Sequence, residues 1–91
     1  MNRIKLEIVR KKIDLVDKQL LTIIGKRTAL VKKVIKIKKS RKEIIDKKRI
    51  NDVLAKVKKH SIKKKIDTDI TNNIWKTMIK SYIDYEKKKF K

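Results

Sequence analysis

From Leu6 onward, Leu6, Val9, Ile13, Val16, Leu20, Ile23, Leu30, Val34 and Ile37 follow one another in steps that alternate between three and four, interrupted only where a step falls on Arg27. That spacing lays them along one face of an α-helix, and the chain has no proline to end it. The pattern predicts one helix over residues 3–39, with Gly25 inside it at a cost of ~1 kcal/mol relative to alanine. At ~1.5 Å per residue such a helix runs ~55 Å, whereas a compact chain of 91 residues has a radius of gyration of only ~12 Å. The chain cannot cover that stripe by itself, so a dimer or higher oligomer is expected.

Two shorter amphipathic segments follow. Asp46 to about His60 carries Ile50, Val53, Leu54 and Val57, with Asp46 suited to cap its start. A third begins near Asp67 or Thr68 and carries Ile70, Ile74, Trp75, Met78, Ile79, Tyr82 and Ile83 toward a lysine-rich tail. The linkers, 40–45 and 61–66, are short and charged, and no strand pattern or internal repeat occurs. The expectation is an all-α, three-helix chain, a single domain over residues 1–91, that assembles through its first helix. With no cysteine, a disulfide framework, a thiolate zinc site and a cysteine nucleophile are excluded. The longest uncharged run, Gln19 to Gly25, falls far short of the ~20 apolar residues of a membrane span. No continuous apolar leader precedes it, so a soluble, cytoplasmic protein without membrane partners is expected.

A net charge of +20 would ordinarily point to nucleic acid. Composition supplies a plainer cause: lysine makes up 25 of the 30 basic residues, isoleucine occurs 16 times, alanine twice and glycine once, as an AT-rich coding bias produces. With 40% apolar residues the chain can still bury a core, which favours folding over disorder.

The polar residues on apolar stripes are more informative. Arg27 projects from the first helix where a core residue belongs, and Lys38 follows eleven residues later on nearly the same face. In the third helix the stripe Trp75, Met78, Tyr82 continues onto Glu86. Arg49 sits beside Ile50 in the first turns of the second helix. Each has a structural explanation, Arg27 as the ion-pair partner of Glu86 or another carboxylate and Lys38 as a side chain reaching solvent from a helix end. Taken together, three inward cations against one inward carboxylate make an excess-positive pocket suited to a ligand with two carboxylates, and Arg10 could join it from a partner chain. His60 has no second histidine or cysteine to share a metal, so no metal site is expected. Asp67 and Asp69 fit a helix start, and Tyr85 fits packing. The runs 63–65 and 87–89 fit solvated faces, and no glycine-rich phosphate loop occurs.

These residues in this order resemble the all-helical class of chorismate mutases, a family that also includes isochorismate pyruvate-lyases. The stretch from Ile8 to Leu21 is similar to the opening helix, with Arg10, two apolar-Asp pairs and Leu20-Leu21 at the family's spacing. Arg27 and the stretch Val31 to Lys38 continue it. Asp46-Lys-Lys-Arg49 matches an Asp-x-x-Arg, and Ile74-Trp75 opens a last-helix signature. The resemblance implies an intertwined homodimer with two sites, each borrowing an arginine from the partner. Arg10 from one chain and Arg27 from the other, helped by Arg49, would hold the substrate's carboxylates. Lys38 would contact its ether oxygen and Asp46 would position it around its hydroxyl. The implied reaction, the Claisen rearrangement of chorismate to prephenate in aromatic amino-acid biosynthesis, requires neither nucleophile, metal nor cofactor. The protein must hold the compact conformer and stabilise charge on the breaking ether oxygen.

Three positions depart from the family pattern. Ile50 stands where many members have a glutamate that binds the substrate hydroxyl. Tyr82 replaces a small hydroxyl residue, and Glu86 replaces a glutamine that donates to the ether oxygen. Apolar residues at the first position, and an aromatic at the second, occur in the lyase-like branch, so an isochorismate pyruvate-lyase or a 4-amino-4-deoxychorismate mutase is the alternative. Asp46 favours the mutase. A carboxylate cannot donate a hydrogen bond, so Glu86 would act protonated and activity would rise toward acidic pH. A basic helical module binding nucleic acid is the reading from a different class, disfavoured because Arg10, Arg27 and Arg49 are three of only five arginines and fall at family-matched positions. A helical homodimer that has lost catalysis is the third.

Overall fold

The computed structural model describes residues 2–90 and consists of three α-helices, α1 (Arg3–Ile37), α2 (Lys47–Lys63) and α3 (Thr68–Lys89), with one 3₁₀ turn at Arg41–Glu43. Two compact units divide after Val34, so the last turn of α1 belongs with α2 and α3. None of the helices is long and apolar enough to cross a membrane among the described residues.

The first unit is α1 up to Val34. None of the described α1 residues is buried. Its apolar stripe lies open along its length, from Leu6 at 42% exposure to Leu30 at 59%. The helix is shorter at its end than the spacing suggests, because the Glu43 carboxylate takes the backbone N–H groups of Lys39 and Ser40. Those groups therefore leave the helical ladder at Ile37.

In the second unit α2 packs against α3. Asp46 is the N-cap of α2, its carboxylate accepting the Arg49 N–H at 3.0 Å, and Asp67 caps α3 by accepting the Asp69 N–H at 2.8 Å. The second helix runs three residues past the expected His60. It closes in a Schellman motif: Ile66 N–H donates to the Ser61 carbonyl at 2.9 Å and Lys65 N–H to the Ile62 carbonyl at 3.1 Å. Lys65 takes the left-handed conformation that this closure requires, with φ of 58°.

Ser61, 3% exposed, and Thr71, 8% exposed, meet hydroxyl to hydroxyl at 2.7 Å across the α2–α3 corner. Beyond that corner the helices run antiparallel through a short connection. Further along the facing stripes, Val57, Leu54 and Ile50 of α2 and Trp75, Met78 and Tyr82 of α3 are half-buried. Asp46 and Glu86 each lie fifteen residues from the corner, ~22 Å along their helices.

Candidate active site

The far end of the α2–α3 pair carries the polar chemistry. Glu86, on the inward face of α3, is 7% exposed, and a carboxylate so buried needs a partner. Lys38, just beyond α1, supplies it: Nζ donates to Glu86 Oε2 at 3.1 Å and reaches the Ile44 carbonyl at 3.5 Å. Glu86 thus pairs with Lys38, where the sequence also allowed Arg27. Ile44, from the linker, is the one buried apolar side chain among the described residues and anchors the turn under Lys38.

Lys38 and Asp46 line one open cleft of about 570 Å³, together with Ile37, Lys42, Glu43, Ile45 and Lys47. That volume suits a small ligand. Lys38, Lys42 and Lys47 place three ammonium groups on its walls beside the carboxylates of Glu43 and Asp46, and the Lys38 charge is matched by Glu86. One oxygen of Asp46 is taken by the Arg49 N–H.

The remaining expected residues distribute as follows. Tyr82 lies one turn before Glu86 on α3 and is half-buried, as is Ile50 on α2. Arg49 is exposed, which corrects the inward placement expected from the sequence. The reason is local: Ile50 takes the inward position of that turn, and the adjacent Arg49 falls outside. In the first unit Arg27 is half-buried, and Arg10 is exposed in an ion pair with Glu7 at 3.2 Å, one turn away. His60 is exposed. Among the described residues, no three His, Cys, Asp or Glu side chains group as metal ligands.

Sequence reasoning missed Glu43, treated as part of a charged linker. The signal was present, since Ser40 to Glu43 has the S-x-x-E spacing of a capping box. It also missed the Ser61–Thr71 contact. Continuing the α2 stripe Ile50, Leu54, Val57 by one step lands on Ser61.

A family model described as chorismate mutase type II matches residues 9–87, most of the chain. No curated protein and no solved structure matches it.

Proposed function

The chain belongs to the chorismate mutase type II family, and from that premise we propose how its own residues carry the reaction. It is an isomerase that converts chorismate to prephenate. In that rearrangement an ether C–O bond breaks as a C–C bond forms, no atom leaves and no proton is exchanged. The protein's tasks are therefore to hold the reactive conformer and to stabilise the ether oxygen as it gains negative charge.

The observation that carries the assignment of the centre is the part-buried Lys38–Glu86 pair, whose lysine also lines the cleft with Asp46. An ammonium has three N–H donors, and two are directed at Glu86 and Ile44; the third is assigned to the ether oxygen. Glu86 is assigned to the same centre, its carboxylate holding the Lys38 ammonium beside that oxygen. Arg27, Arg10 and Arg49 are assigned to the two substrate carboxylates, for which the guanidinium fork is the best-matched side chain. For Arg10 this means exchanging Glu7 for the substrate, an easy exchange because exposed pairs contribute little. Asp46 is assigned to the hydroxyl end of the substrate, with Ile50 and Tyr82 as an apolar wall.

We further propose that the functional unit is a homodimer in which Arg10 is contributed in trans. The support is α1, whose apolar stripe is open along its length and has no buried residue. Sedimentation at equilibrium tests it, and a monomer at assay concentrations would refute it. The cytoplasmic location expected from the sequence belongs to the same proposal and is tested by fractionation.

The site assignment is tested by assaying chorismate and isochorismate in parallel and identifying the products. Prephenate formed from chorismate, and abolished in Arg27→Ala, supports it. Ile50 and Tyr82 give the lyase reading its support, and pyruvate with salicylate from isochorismate alone would favour it. Inactivity toward both acids would return attention to polyanion binding.

A further inference from the structure

Lys38 lies one residue past the end of α1, outside the regular helix, yet its ammonium is directed at Glu86. A closed circuit of contacts through residues 39–44 accounts for this. The Glu43 carboxylate accepts the N–H groups of Lys39 and Ser40, the two residues that directly follow Lys38. Glu43's own N–H returns to the Ser40 carbonyl at 3.2 Å, the hydrogen bond that closes the 3₁₀ turn. The next residue, Ile44, is buried, and its carbonyl is the second acceptor for Lys38 Nζ at 3.5 Å. One side chain therefore grips the backbone from which Lys38 hangs and also sets the carbonyl toward which Lys38 reaches.

Electrostatics separates this role from substrate binding. Glu43 lines the cleft assigned above to a dianionic substrate, where a carboxylate turned toward the substrate would repel it. Instead, the Glu43 carboxylate is directed at two backbone donors.

We infer that Glu43 is a positioning residue for Lys38, holding the 39–44 turn so that the ammonium stays within reach of both Glu86 and the substrate ether oxygen. The inference rests on the assignment of Lys38 made above.

Steady-state kinetics on the full chain with chorismate test it, using Lys38→Ala, Glu43→Ala, Glu43→Gln and the double variant Lys38→Ala/Glu43→Ala. Because a misplacement of about 1 Å can cost as much as ~10²-fold, Glu43→Ala is expected to lower kcat by about tenfold or more while KM changes by less than about twofold. Glu43→Gln, whose amide oxygen still accepts both N–H groups, should recover most of that loss. In the Lys38→Ala background, Glu43→Ala should add nothing.

An unchanged kcat in Glu43→Ala beside an impaired Lys38→Ala would overturn the inference and leave the assignment of Lys38 standing. An unchanged kcat in Lys38→Ala would remove that assignment, and the inference with it. A full extra loss in the double variant would show that the turn acts on something other than Lys38, and an equal loss in Glu43→Gln would show that charge rather than hydrogen bonding matters; either overturns the inference. Should Glu43→Ala fail to fold, Glu43→Ser takes its place in the same cycle under the same criteria.

Discussion

The hydroxyl pair at the α2–α3 corner allows a prediction whose size follows from proton accounting. Ser61 has one hydroxyl hydrogen and two close acceptors, the Val57 carbonyl at 2.6 Å and Thr71 Oγ1 at 2.7 Å. Thr71 has one hydrogen and, besides Ser61, only the Thr68 carbonyl at a long 3.4 Å. Both short contacts are satisfied when Ser61 donates to Val57 and Thr71 donates to Ser61. Ser61→Ala then strands a buried donor on Thr71, which costs ~1–3 kcal/mol, while alanine returns ~0.5 kcal/mol of helix propensity. The expected net loss is about 1.5 kcal/mol, or about 10 °C in Tm for a domain of this size. Thr71→Val leaves Ser61 donating to Val57 and strands only an acceptor lone pair, so its loss should be smaller, about 1 kcal/mol. The double variant replaces both hydroxyls with groups of similar shape and should fall short of the summed single losses by about 1 kcal/mol. Thermal unfolding followed by far-UV circular dichroism at one fixed protein concentration measures all four proteins. Additive losses, or a Ser61→Ala protein as stable as the original, would refute the proton assignment.

Other outcomes follow from single features. Glu86→Ala removes the carboxylate that accepts from Lys38 Nζ, so kcat toward chorismate should fall by about tenfold or more, whereas Glu86→Gln, whose amide oxygen still accepts that N–H, should lose less; equal losses in the two variants would refute the role. Lys65→Gly relieves the left-handed backbone of a side chain that disfavours it, so denaturant unfolding should show a gain of about 0.5 kcal/mol, and a loss would refute this account of the corner. A Cβ built on Gly25 meets no atom within 4 Å, so Gly25→Ala should stabilise α1 by about 1 kcal/mol; a fall in Tm would show that another chain approaches that position closely.

How much of this was legible in advance depends on whether the cause was local. The stripe of α1 is a period in the sequence, and the caps Asp46 and Asp67 are residue types with one short hydrogen bond to make, so both could be anticipated. The end of α2 could not be anticipated from its apolar stripe, which stops at Val57, because a backbone closure at Ser61 and Ile62 determines it. Lys38 and Glu86 were each recognisable as charges on inward faces, but their pairing joins residues 48 apart in sequence, which periodicity cannot register. Arg49 shows the converse: its place in an Asp-x-x-Arg motif suggested an inward side chain, while the neighbouring Ile50 takes that side of the turn.

A first helix with no buried residue also bears on quantity. In the lone chain no described residue of α1 is buried, and helical order in water depends mainly on tertiary packing. If a second copy covers it, as proposed, the order of α1 follows the law of mass action and grows with protomer concentration. Activity near the dissociation constant then rises faster than linearly with the amount of chain. A cell that halves its supply of this protein would lose more than half of its flux from chorismate to prephenate.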